Sequence, residues 1–211
     1  MQRTVLGIAT VYVGVLILLL VFPWPSGVSV DPTAEFLLDA MLSLAMLLMG
    51  FVAAAILGRG ALGDSFAAQV GPRFLGIGAA AGAAILVVNV TLIALLGAIP
   101  GEAIWTGVAV PDDWMLVLLS TAVLPAVVEE WLCRGVLWTG LKRIASERGT
   151  LILSSALFAM LHGLGEGRIM ELPTRFLAGL GFGLLRSKSG SLQPGIAAHF
   201  VNNALACFLV S

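Results

Sequence analysis

The chain has 211 residues, 59% of them hydrophobic and only 11% charged, with a formal net charge of −1. Soluble domains carry nearer 25% charged residues, so a water-soluble fold of this composition would expose large apolar patches, and the bilayer is the expected solvent. A mean hydropathy of +1.05 agrees, and with no basic run the sequence gives no sign of nucleic acid as a partner.

Seven apolar segments follow one another along the chain, bracketed by turn residues and charges. The first runs from about Thr4 to Phe22 and stops at Pro23-Trp24-Pro25. A secretory leader is its rival reading, but the apolar run is long for one and no A-x-A site follows it. The second covers Ala34 to Leu57, and the third, Pro72 to Leu96, is rich in Gly and Ala. The fourth, Trp114 to Leu141, contains "PAVVEEWLCRGVLW", which places Glu129, Glu130 and Arg134 inside an apolar run. Thr150 to Gly163, Pro173 to Leu185 and Leu192 to Val210 complete the set. The fifth and sixth are short for full spans, and would either tilt little or lead into backbone that lines a polar cavity. The predicted fold is all-α: a bundle of about seven transmembrane helices enclosing a polar intramembrane cavity. A single domain over residues 1–211 is expected, with its motif-bearing core at about 114–210.

Basic residues in short loops set orientation. With the N-terminus inside, the inner face carries Arg3, Arg59, Arg73, Lys142, Arg143, Arg148, Arg186 and Lys188, eight of the eleven Lys and Arg. The outer loops keep Arg168 and Arg175 beside Asp31, Glu102, Asp112, Asp113, Glu166 and Glu171. The expectation is an integral protein of a bacterial cytoplasmic membrane, N-terminus inside and C-terminus outside. The pairs Gly78-xxx-Gly82 and Gly179-xxx-Gly183 predict close helix packing within the bundle. Cys133 and Cys207 lack CxxC spacing and read as small packing residues.

A charge at mid-membrane costs roughly 2.5–3.5 kcal/mol, so Glu129, Glu130 and Arg134 need compensation. Glu130 and Arg134 are four residues apart, share a helix face and can pair. Glu129 is turned about 100° from Glu130 and needs a different partner. Both histidines of the chain also lie in apolar segments: His162, and His199 with Asn203 one turn on. Counted from the inner basic flanks at ~1.5 Å per residue, Glu129 lies ~20 Å deep, His162 ~21 Å and His199 ~16 Å. Independent structural pairs have no reason to share a level, whereas a single polar site does.

Such a site suits amide hydrolysis. Glu129 is the candidate general base that takes a proton from water. One histidine orients that water or shares its proton. The other, with Asn203, donates hydrogen bonds to a developing oxyanion. Cys133 shares a face with Glu129, but a Cys–His dyad would need a histidine from another helix. A proton-transporting role is the rival from another class, yet it needs titratable groups strung through the full depth rather than gathered at one level.

Glu129-Glu130-xxx-Arg134, Phe158-xxx-His162 and His199-xxx-Asn203, in this order on successive apolar segments, resemble the CPBP (ABI) family of intramembrane proteases, which is similar to type II CAAX prenyl endopeptidases. The resemblance covers about Leu116 to Val210, while the first three segments match only in hydropathy. It implies an intramembrane endopeptidase acting on a membrane-anchored, possibly prenylated, peptide or protein within the lipid bilayer. It implies that Glu129 activates water with His162, that His199 and Asn203 form an oxyanion site, and that Glu130, Arg134 and Phe158 support them. No cofactor is favoured. Zinc is the alternative, with Glu129, His162 and His199 as ligands, but the H-E-x-x-H pair is absent and the glycines around Glu166 argue against a continuing helix there. A non-catalytic membrane scaffold or bacteriocin-immunity protein on the same fold is the competing functional reading.

Overall fold

The computed structural model describes residues 1–21, 32–58, 60–66, 70–95, 114–165 and 169–209. Pro23-Trp24-Pro25, Arg59, Asp31, Glu102, Asp112, Asp113, Glu166 and Arg168, all used above to bracket or orient segments, lie outside these residues. The described residues form an all-helical fold: α1 Gln2–Val21, α2 Pro32–Leu57, α3 Ala61–Phe66, α4 Pro72–Leu95, α5 Trp114–Leu141, α6 Glu147–Met160, α7 Leu172–Ser189 and α8 Gln193–Leu209. The short α3 has no counterpart among the predicted segments. It lies between two runs of high apolarity and is too short to register as a periodic pattern.

Element ends follow local chemistry. Helix α6 starts three residues before the expected Thr150, because the Ser146 hydroxyl caps it by accepting from the Gly149 backbone N–H at 3.1 Å. Helix α7 runs beyond Leu185 to Ser189 and is stopped by Gly190 at φ 68°, a left-handed position that favours glycine. Helix α5 keeps its predicted ends but is not uniform. Its turns widen to π-helical over Leu119–Val123 and Trp131–Leu137, and a third such turn, Leu161–Gly165, continues α6. Widened turns inside α-helices concentrate at functional sites.

Among the described residues four helices are long and apolar enough to cross a bilayer: Gln2–Val21, Phe36–Leu57, Pro72–Ile93 and Trp114–Leu141. Their outward faces carry Leu6, Ile17, Leu44, Leu48, Val87 and Val88, all exposed, as an integral membrane protein in contact with acyl chains requires. Helices α1 and α2 run antiparallel, since Gly7 meets Leu57 and Gly14 meets Met49. Helices α4 and α8 run parallel and nearly touch backbone to backbone: a Cβ on Gly78 would strike the Pro194 carbonyl, and one on Gly82 the Ala198 carbonyl. Small residues allow that approach in lipid, and the same holds for Gly179, whose added Cβ would lie 3.1 Å from Ser155.

Helix α5 sits where two cores meet. Trp131, Leu132 and Val136 join Val11, Val15, Ala53 and Leu57 of α1 and α2. Cys133 joins Phe158, Ala178, Phe182 and Ala198 of α6, α7 and α8. All seven residues of the second widened turn are buried, including Arg134. Placed between two cores, this part of α5 brings its carboxylates within reach of several neighbouring helices at once. Both cysteines are free thiols; Cys133 is buried in the second core, and Cys207 lies 3.0 Å from the Thr121 hydroxyl.

Candidate active site

Three helices deliver side chains to the middle of the second core. Helix α5 supplies Glu129, Glu130 and Arg134. The last turn of α6 and its widened continuation supply Phe158 and His162, and α8 supplies His199. The Glu129 carboxylate oxygen Oε2 is 3.4 Å from His162 Nε2 and 3.9 Å from His199 Nε2. Glu130 Oε1 accepts from Arg134 Nη1 at 2.8 Å and lies 3.3 Å from His199 Nδ1. The two adjacent glutamates therefore diverge as helix geometry dictates, and His199 lies between them.

The site has two layers of different accessibility. The side chains of Arg134, Glu130 and His199 are 0%, 1% and 2% exposed, whereas those of His162 and Glu129 are 12% and 18% exposed. The second layer is the one open to water, and His199 borders it through Nε2, 3.9 Å from Glu129 Oε2.

In the sealed layer the compensation is dense. Arg134 donates from Nη2 to the Gly179 carbonyl at 3.0 Å, and its guanidinium stands over the Phe158 ring at 4.5 Å and the Phe182 ring at 5.5 Å. These contacts add hydrogen-bond and cation–π stabilisation to the ion pair. The Arg134 carbonyl in turn accepts from Arg186 Nε at 3.0 Å, which ties the C-terminal end of α7 to α5. Gly195 leaves room for the second Glu130 oxygen, since an added Cβ would lie 2.9 Å from Oε2. A lone buried charge would be strongly destabilising; this one is paired and hydrogen-bonded.

The accessible layer is arranged for proton movement. His162 Nδ1 lies 3.0 Å from the Phe158 carbonyl. A carbonyl only accepts, so Nδ1 carries the hydrogen and Nε2, facing Glu129, is the basic nitrogen of the neutral ring. Glu129 Oε2 is buried without a full hydrogen bond, and its 3.4 Å approach to His162 is longer than a well-formed one.

Asn203 donates from Nδ2 to the Thr121 carbonyl at 3.1 Å, and its Oδ1 accepts from Asn202 Nδ2 at 3.0 Å. Its amide orientation is thereby set, and one N–H remains beyond the Thr121 bond. Phe158, expected to pack on the His162 ring, does so at a centroid distance of 4.5 Å.

Zinc would require Glu129, His162 and His199 to converge on one point. Among the described residues no three His, Cys, Asp or Glu side chains are so arranged. The 3.9 Å separation at His199 also exceeds the ~3.4 Å edge of a tetrahedral shell built on bonds of ~2.1 Å. The residues do not fit the metal as they stand.

Helix α7 carries what the sequence reading missed. Arg175, Gly179, Phe182 and Arg186 recur at helical spacing along it. Of these, Gly179 and Arg186 bond to Arg134, and Phe182 lies against both Arg134 and His199. Spacing of i, i+4, i+7, i+11 was available in the sequence, but a glycine and a phenylalanine on an apolar segment read as packing.

The fold and the site define a helical integral membrane protein with a carboxylate–imidazole centre held between α5, α6 and α8. The sequence pattern of the family described as type II CAAX prenyl endopeptidase Rce1-like matches residues 111–205. The match spans 95 of the 211 residues and holds every residue of the centre, so over this stretch the chain is similar to the type II CAAX prenyl endopeptidases. No curated protein and no solved structure matches the chain.

Proposed function

We propose that the protein is an intramembrane endopeptidase that hydrolyses a peptide bond of a membrane-anchored substrate, with a prenylated C-terminal peptide as the class to try first. The observation that carries this reading is the meeting of Glu129 with His162 and His199, at 3.4 and 3.9 Å, from three separate helices. Glu129 takes a proton from a water that His162 orients. The hydroxide oxygen bonds to the scissile carbonyl carbon, and the charge on the carbonyl oxygen is met by His199 and Asn203. Collapse breaks the C–N bond, and the proton held by Glu129 passes to the departing amine. Glu130 and Arg134 hold the frame, and Phe158 holds His162. No metal takes part.

The same reading includes the finer architecture. Helices α6, α7 and α8 join the four long spans to make seven, around a polar cavity that opens on Glu129. The N-terminus lies inside a bacterial cytoplasmic membrane and the C-terminus outside, on the strength of the Lys and Arg asymmetry.

The test is cleavage of a quenched farnesylated CAAX peptide by the purified protein in lipid bilayers, with the cut mapped by mass spectrometry and the assay repeated after chelation. A single internal cut that survives chelation is expected. Loss of activity on chelation, restored by zinc, would overturn the metal-free step. A cellular phenotype fully rescued by a chain carrying both Glu129→Gln and His162→Ala would instead support the scaffold or immunity role.

A further inference from the structure

We propose that Phe182 is a positioning residue of the hydrolytic site: its ring sets the plane of the His199 imidazole and so aims Nε2 at Glu129. The proposal rests on the reading that His199 serves hydrolysis, but its structural half can be measured without any activity. His199 lies nearly flat on Phe182, with centroids 4.8 Å apart and planes at 17°. Phe158 closes the other direction edge-on, at 6.0 Å and 87°. The two phenylalanines also meet each other at 6.3 Å and 78°. The division of labour is clear in the distances: Arg134 stands closer over Phe158, at 4.5 Å, than over Phe182, at 5.5 Å.

An imidazole on an otherwise apolar helix can turn about its terminal torsion, which is broad and roughly two-fold. Rotating the ring out of its present plane would swing Nε2 away from Glu129. Hydrogen bonding alone does not prevent this, because His199 Nδ1 has no hydrogen-bond partner of good geometry despite the nearby Glu130. The flat face of Phe182 and the edge of Phe158 supply the missing constraint, since offset-stacked and edge-to-face aromatic arrangements are each preferred geometries. Phe182 itself is 1% exposed and belongs to the second core, so the clamp is rigid.

The chain contains only two histidines, which makes imidazole NMR of the full-length, histidine-labelled protein in bilayers a two-signal experiment. His162→Gln assigns the signals. In the unaltered protein the carbon-bound ring protons of His199 should lie upfield of free imidazole and show contacts to the Phe182 ring. Phe182→Leu should move the His199 signals toward the free position and leave those of His162 in place, while Phe182→Tyr should preserve both. On the farnesylated peptide, Phe182→Leu should lower kcat about tenfold with KM unchanged, on the scale of one aromatic pair, and Phe182→Tyr should restore it. His199 signals unmoved by Phe182→Leu overturn the proposal. If that variant does not fold, His199 protons at the free-imidazole position in the unaltered protein overturn it equally. A protein that cleaves no peptide defeats the proposed hydrolysis, while the spectra still decide the orientation of His199.

Discussion

Glu129 and Glu130 are neighbours in sequence and occupy different physical worlds. Glu130 lies in a sealed layer, 1% exposed, with Arg134 at 2.8 Å. Glu129 lies in the accessible layer, 18% exposed, with an imidazole nearby and no full hydrogen bond. The helix turns about 100° between them, and that rotation alone separates a carboxylate paired with a guanidinium from one turned toward the imidazoles. The lesson is that membrane burial does not make ionisable groups equivalent. The Arg134 guanidinium, itself held by a backbone carbonyl and two aromatic faces, pairs with one carboxylate, while the adjacent one is left to the imidazoles.

The sharpest way to break the sealed layer is Arg134→Met. Loss of one partner leaves Glu130 buried and uncompensated, and should cost about 3–5 kcal/mol of stability, read by thermal melting or denaturant in detergent. Changing Glu130→Gln in the same chain should recover part of that loss, because the orphaned charge goes with it. In the accessible layer, Asn203→Ala should leave folding nearly intact and reduce kcat by about 10²–10³-fold, the scale of one oxyanion donor. A fall in melting temperature with kcat preserved would make Asn203 a strut between α8 and the Thr121 carbonyl and nothing more. Gly82→Val tests the scaffold behind both layers. It drives a branched side chain into the Ala198 backbone next to His199 and should cost about 1–3 kcal/mol. The smallest effect belongs to Ser187→Ala, which removes an exposed hydrogen bond to Glu147 and should change stability by less than about 0.5 kcal/mol with activity unaltered.

Much of this was legible in the sequence for identifiable reasons. Apolar runs have the length of a bilayer, so the ends of α5 fell where hydropathy put them. The Glu130–Arg134 pair follows from spacing of four residues, and the divergence of Glu129 from the pitch of the helix. Depth counted from basic flanks brought His162 and His199 toward the level of Glu129. Three features were out of reach. The widened turns at Trp131–Leu137 and Leu161–Gly165 are marked by no local propensity. The position of His199 between both glutamates depends on the parallel contact of α4 and α8, a long-range fact. Phe182 is chemically indistinguishable from a packing residue until the imidazole it supports is seen.

The division between the two layers is tested most directly by one paired measurement: cleavage rate and melting temperature of Glu129→Gln beside Glu130→Gln, with the same farnesylated reporter. The account predicts that Glu129→Gln melts close to the unaltered protein and loses about 10²–10⁴-fold in kcat, the contribution of a general base, whereas Glu130→Gln shows its main defect in melting. Cleavage by Glu129→Gln at the unaltered rate would contradict it.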